Sequence, residues 1–288
     1  MAKKKKAKSS RQEKVPEQTK TRLQRYRGWA LRFLASIGLI YAGLVVFGCT
    51  FSNAIIFPVP KPYYSADEPH LVTLPLQGGG EIPALWLENP QAKWTILYFH
   101  GNGMDLGDCR SMLKETQAQG YSVLAVDYPG YGIAKGKPTE EGCYLAADAA
   151  YSYLRTTKGI PANRLALHGM SLGTGVAVDL ASRQPVGALI LEAPYLSTFR
   201  VVTRVKLVPF DRFDSYAKIE KITCPLLVIH GTADSVIPYW HGEKLFAAAI
   251  NSPRKQFHPV QGGNHVNLRQ IEGKKYWESI ARILAASE

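Results

Sequence analysis

Gly169-Met170-Ser171-Leu172-Gly173 is the stretch of this chain with the clearest chemical potential, because it joins an apolar run (Leu165 to Leu167) to a helix-like pattern (Val176 to Ala181). A serine on a sharp strand-to-helix turn has its hydroxyl lifted clear of the sheet edge, and the tightness of the turn calls for glycine two residues to either side. For a serine hydroxyl to attack an acyl carbon it needs a histidine to take its proton. That histidine in turn needs a carboxylate to fix its tautomer and stabilise the imidazolium.

Candidates for both follow in the order Ser, Asp, His that a turn-borne serine uses. The apolar run Pro225 to His230 leads into Gly231-Thr232-Ala233-Asp234, which puts Asp234 just beyond a strand's carboxyl end. Gly262-Gly263-Asn264-His265 then offers a loop histidine. Of the seven histidines, His168 and His230 belong to apolar strands, His258 lies within the strand-like Lys255 to Val260, and His241 opens a helix; His265, in a loop and in the correct order after Asp234, is the best base. Glu192 also ends an apolar strand and stands as an alternative acid, whereas Asp211 and Asp214 lie in a segment without strand character. The buried run Trp94 to Phe99 ends in His100-Gly101-Asn102-Gly103. Its glycines free backbone amides, so the N–H groups of Asn102 and Leu172 are the expected oxyanion hole.

These elements have to be carried by a sheet. The sequence predicts a hairpin (71–76 and 81–87, turning at Gly78-Gly79-Gly80), strands at 94–100, 121–127, 164–170, 187–192, 224–230 and 254–260, and helices near 108–118, 139–157, 172–183, 240–250 and 271–286. Alternating strands and helices predict an α/β fold with a mostly parallel sheet, an antiparallel start and helices on both faces. Open sheets of this kind bind ligands outside the carboxyl ends of their strands, where Ser171, Asp234 and His265 would meet.

Five stretches resemble the α/β-hydrolase superfamily, in particular small membrane-anchored serine hydrolases related to serine-aminopeptidase-like and acyl-protein-thioesterase-like proteins. They are His100 to Gly103, Asp127 to Gly132, the Ser171 turn, His230 to Pro238 and Gly263 to His265, and together they span most of residues 70–286. The resemblance implies the α/β-hydrolase fold with a short cap and no cofactor. Two positions depart from the pattern: Ala134 stands where a serine usually follows the Gly-Tyr-Gly loop, and Thr174 replaces a frequent glycine after the turn.

Charge divides the chain differently. The net charge is +12, but residues 1–32 hold twelve Lys or Arg against two Glu, so the remainder is close to neutral. Residues 33–51 carry no charge, and nineteen residues at ~1.5 Å each approach the hydrocarbon thickness of a bilayer. The expected organisation is a basic cytoplasmic tail (1–28), a transmembrane anchor (29–51), a Pro-containing juxtamembrane linker (52–69) and a hydrolase domain (70–288) with a short cap near 195–220. The positive-inside rule leaves the hydrolase on the far face, the periplasm in a bacterium. A lipid-modified Cys49 and cleavage after Ser52-Asn53-Ala54 are the competing readings of this segment. Lys3 to Lys6 beside an apolar span fits topology and anionic headgroups better than nucleic acid.

Cys109 and Cys143 are the one pair expected to be exposed enough for a disulfide, and no close-spaced Cys or His cluster suggests a metal. The apolar stretch Val205 to Phe210 is placed either near the membrane or along an acyl pocket. The function expected is cleavage of an ester or thioester, less readily an amide, of a small or lipid-like acyl substrate through an acyl-enzyme on Ser171. No carboxylate suited to reading a substrate amine is identifiable, which ranks ester above peptide. A non-catalytic binding or scaffold protein on the same fold is the alternative.

Overall fold

The structure is a computed structural model in which residues 22–206 and 210–285 are described. Most of the basic tail, Lys3 to Lys6 included, lies outside the described residues, as do the Cys49 side chain, Leu207, Val208, Pro209 and the last three residues. The chain divides into two compact units between Thr50 and Phe51.

A single long helix, α1 (Arg22–Ile56), runs through that division. Its stretch Gln24–Gly48, 25 residues with an 18-residue window of mean hydropathy 2.0, is long and apolar enough to cross a membrane. The helix extends beyond the uncharged run on both sides, since backbone hydrogen bonds propagate through polar residues as readily as apolar ones. Within it the hydroxyls of Ser36 and Thr50 donate to the carbonyls of Arg32 and Val46, which satisfies them without water. Pro58, which lacks an N–H, follows the last helical turn.

The second unit is an eight-stranded sheet in the order β1-β2-β4-β3-β5-β6-β7-β8. The strands are β1 (Leu71–Pro75), β2 (Glu81–Leu87), β3 (Thr95–Phe99), β4 (Ser122–Val126), β5 (Leu165–Met170), β6 (Ala188–Glu192), β7 (Leu226–Gly231) and β8 (Lys255–Val260). β1, β2 and β4 pair antiparallel, and every pairing from β4 through β3 to β8 is parallel. The hairpin turns through Gly78, Gly79 and Gly80, all at positive φ. The chain reverses its direction of travel across the sheet at β3, so the loops after β3 and β5 open side by side.

Successive residues of each central strand face opposite layers. Ile96 and Tyr98 join one apolar cluster while Leu97 and Phe99 join the other, and Ala188 and Ile190 alternate with Leu189 and Leu191 in the same way. Both faces are covered, which is why these strands read as unbroken apolar runs. One face takes α2 (Leu106–Ala118), α7 (Leu268–Glu272) and α8 (Lys274–Ala285); the other takes α3 (Glu140–Ser152), α4 (Leu172–Ala181) and α6 (Trp240–Ala248).

Several boundaries differ from expectation for local reasons. α2 starts at Leu106 because Asp105 accepts the Asp108 amide and the Asp108 side chain accepts that of Asp105, a capping box. The closing helix is two, broken at Gly273 with φ +51. A short helix between β6 and β7, α5 (Thr198–Thr203), has no counterpart in the expected elements and ends on Arg204 in the left-handed region. The disulfide expectation is overturned. Cys109 and Cys143 are fully buried free thiols in the clusters on opposite faces of the sheet, so the sheet itself lies between them.

Candidate active site

Ser171 follows β5 directly with φ 51° and ψ −119°, a left-handed backbone that costs a non-glycine residue about 1–3 kcal/mol. The neighbours hold it there. Its amide donates to Glu192 O at 2.9 Å, and its carbonyl accepts both the amide (2.9 Å) and the hydroxyl (2.7 Å) of Thr174. The threonine that departs from the family pattern thus supplies an extra bond to the turn. Both glycines are sterically required: a Cβ at Gly173 would sit 2.1 Å from Phe99 O, and one at Gly169 would sit 2.4 Å from Gly173 O.

Asp234 and His265 come from the loops after β7 and β8, and those loops are tied together. Ala233 N donates to Gly263 O (2.9 Å) and Gly262 N to the Thr232 hydroxyl (2.9 Å); Gly231 approaches Gly263 so closely that a Cβ would lie 2.2 Å from its carbonyl. The Asn264 side chain accepts the amides of Val266 and Asn267, which closes the turn presenting His265. The Nε2 of His265 lies 2.9 Å from Ser171 Oγ, and its Nδ1 lies 2.8 Å from Asp234 Oδ2. An ionised carboxylate only accepts, so Nδ1–H donates to Asp234 and leaves Nε2 to accept the serine hydroxyl.

Burial, the largest influence on Asp234, raises its pKa. Hydrogen bonds from His230 and His265, the electrostatic interaction with the His265 ring and the Ile237 amide together outweigh it and hold the carboxyl well below the usual carboxylate range. His230 reads as a plain core residue in the sequence, but its Nε2 lies 3.5 Å from Asp234 Oδ2 and 3.0 Å from the Ile237 carbonyl, directly behind the acid.

The loop after β3 is fixed from several sides. His100 and Asp127, both fully buried, pair at 3.1 Å, and Tyr64 donates its hydroxyl to the other Asp127 oxygen. The Asn102 carbonyl accepts the Tyr131 hydroxyl at 2.9 Å, while its side-chain amide donates to Ile56 O at 3.0 Å. Nothing in the sequence points to Tyr64 or Ile56, which precede the sheet and show no periodicity linking them to it. Asn102, Ser171 and Leu172 line one cavity, and Leu172 opens α4, whose positive dipole end faces the serine.

The family model described as "Serine aminopeptidase, S33" matches residues 90–209. The alpha/beta hydrolase domain-containing protein 17C of Mus musculus is 42% identical over 183 residues, covering 62% of this chain and 56% of its own. The human alpha/beta hydrolase domain-containing protein 17B is 41% identical over 194 residues, covering 66% of this chain and 67% of its own. The chain belongs to the α/β-hydrolase superfamily. A solved Pyrococcus furiosus esterase shares the fold, with a TM-score of 0.68 at 18% identity over 80% of this chain and 98% of that one. The chain spans little more than half the length of the mouse relative.

The alternative acid in this α/β-hydrolase is engaged elsewhere. Glu192 accepts the Tyr276 hydroxyl at 2.7 Å and lies 3.4 Å from His168, deep in the core. Burial raises its pKa, but His168, Tyr276 and Arg269 together bring the carboxyl below the ordinary range. Asp211 accepts Ser197 Oγ and Phe199 N at the start of α5, Asp214 accepts the Ala217 amide, and His258 pairs with Glu272 at 3.1 Å. His241 is buried in α6 and stacks on Trp240, its Nδ1 accepting the Leu196 amide.

Beside Ser171 lies a cavity of about 140 Å³, walled by Ile55, Ile56, Tyr195, Val201, Val236 and Ile237. None of the described residues lining it is charged. The cap contributes through α5 and the residues just before it. Val205, Lys206 and Phe210 do not line the cavity, and Leu207, Val208 and Pro209 lie outside the described residues.

Proposed function

We propose that this α/β-hydrolase cleaves a carboxylic ester or thioester, less readily an amide, through an acyl-enzyme on Ser171. The observation that carries the reading is the continuous chain Ser171 Oγ, His265 Nε2, His265 Nδ1, Asp234 Oδ2, with contacts of 2.9 and 2.8 Å. Ser171 Oγ attacks the acyl carbon as its proton passes to His265 Nε2, and Asp234 stabilises the imidazolium. The charge gathering on the substrate oxygen is met by the amides of Asn102 and Leu172. His265 then protonates the leaving alcohol or thiol. Water, deprotonated in the same way, releases the acid and restores the serine.

An uncharged wall beside the nucleophile supports a neutral acyl group and gives no handle for a substrate ammonium, which favours ester over peptide. The apolar helix and the basic residues before it support a single-pass anchor with the tail cytoplasmic and the hydrolase on the opposite face, exposed to lipid-like acyl substrates. A fluorophosphonate probe tests the core of the reading. It should label the wild-type chain and leave Ser171→Ala unlabelled, and equal labelling of the two would exclude Ser171 as nucleophile.

A further inference from the structure

The cavity beside Ser171 is closed on one side by a segment outside the sheet-and-helix body that positions the triad. Ile55 and Ile56 form the last turn of α1, and the turn is firmly seated. Ile56 and Phe57 are 4% and 5% exposed, and the Phe57 ring meets Tyr131 and Phe213 edge-on, with centroids 6.4 and 6.1 Å away. The Asn102 side chain holds the Ile56 carbonyl at 3.0 Å, and Tyr131 holds the Asn102 carbonyl at 2.9 Å. One set of contacts therefore fixes both the wall of the cavity and the loop expected to bind the oxyanion.

We infer that the Ile55–Ile56 turn is the selectivity wall of the site: it sets the size of the acyl group that Ser171 accepts, and it makes the end of the N-terminal helix part of the catalytic unit. This rests on the serine-hydrolase reading above. The group it admits is neutral and apolar. A dry apolar cavity of about 150 Å³ takes up a benzene-sized molecule, so a space of about 140 Å³ suits an acyl portion of roughly six carbons. Ile55 is the adjustable part of the wall. It is 60% exposed, so a larger side chain has room to fold, whereas Ile56 is packed on every side.

The experiment uses the full chain in detergent, p-nitrophenyl acetate, hexanoate and decanoate as substrates, and fluorophosphonate labelling to confirm that the serine is intact in each variant. Wild type should favour hexanoate over acetate in kcat/KM. Ile55→Trp should lower that ratio about tenfold or more, because apolar pockets discriminate by one to two powers of ten when their volume changes. Ile55→Ala should shift preference towards decanoate, and it serves where the tryptophan variant does not label. Ile250→Trp, in the exposed turn after α6 and not among the residues lining the cavity, should keep the wild-type ratio. Labelled Ile55 variants whose ratios stay within about twofold of wild type overturn the inference, as does a labelled wild type that favours acetate. A wild type that neither labels nor turns over any ester overturns the serine-hydrolase reading itself, and the inference falls with it.

Discussion

Asp234 turns one carboxylate oxygen to the chain and the other to His265: Oδ1 accepts the amides of Val236 and Ile237 at 2.9 and 2.8 Å, and Oδ2 lies 2.8 Å from His265 Nδ1. The two amides fix the plane of the carboxylate before the histidine is considered. The acid thereby dictates both the tautomer and the direction of the ring. Replacing the carboxylate with a carboxamide removes that control, since the amide nitrogen can present N–H to His265 and favour the wrong tautomer.

The variant Asp234→Asn should accordingly lower kcat by about a thousandfold or more on any ester that wild type cleaves. Glu192→Gln, whose carboxylate is occupied by Tyr276 and His168, should keep most of the activity of the folded fraction. Steady-state kinetics on both variants, with circular dichroism to confirm folding, decides between them. A deep loss in Glu192→Gln beside a mild one in Asp234→Asn would transfer the acid's role.

At the elbow the test is steric. A methyl on Gly173 would meet the carbonyl of Phe99 at 2.1 Å, and that carbonyl belongs to the end of β3, which cannot move without disturbing the loop at Asn102. Gly173→Ala should destabilise the fold by about 3 kcal/mol and abolish fluorophosphonate labelling. Gly103→Ala, where nothing stands within 4 Å, should leave the thermal midpoint close to wild type. Equal midpoints for Gly173→Ala and wild type would mean that the turn is looser than the structure has it.

His241 makes stability depend on pH. Burial first, and then the charges of His230, Lys244 and Arg200, lower its pKa from 6.5 to about 4 against a weaker opposing pull from Asp234. Between those values the unfolded chain binds a proton that the folded chain refuses. This contribution to stability is therefore present above pH 6.5, falls as the pH drops through the window, and is lost below about 4. Urea midpoints at pH 7.5 and 4.5 should separate further for wild type than for His241→Gln, which does not titrate. Parallel loss in the two proteins would place the acid sensitivity elsewhere.

The strands and the elbow were legible because their signals are local: unbroken apolar runs ending in glycine, with Ser171, Asp234 and His265 each in the loop that follows. The sheet makes those three loops neighbours, so a parallel strand order by itself brings together residues 94 apart. What escaped was whatever depends on packing across elements. Tyr64 serves Asp127 from a Pro-containing linker, and Ile55 reaches the cavity from a helix whose composition speaks only of a membrane. Cys109 and Cys143 looked alike in sequence because period alone does not tell which face of a sheet a helix covers.

Charge and length together set an expectation for α1. Its 25-residue stretch Gln24–Gly48 spans about 38 Å as a helix, more than the ~30 Å of hydrocarbon it would have to cross, and twelve basic residues lie within residues 1–32. Charge of that sign and position holds an N-terminus in the cytoplasm, while a downstream domain is exported whatever its own charge. A reporter active only outside the cytoplasm, fused after Glu288, should give signal in the membrane fraction and resist carbonate washing, because a spanning helix is held far more firmly than a surface-bound basic tail. Exchanging the basic residues of the tail for glutamine should weaken the orientation and reduce the signal. Signal in the soluble fraction would point to cleavage near Ala54, and membrane retention lost on Cys49→Ala would point to a lipid anchor. A reporter silent outside and active inside would put the hydrolase on the cytoplasmic face and overturn the topology.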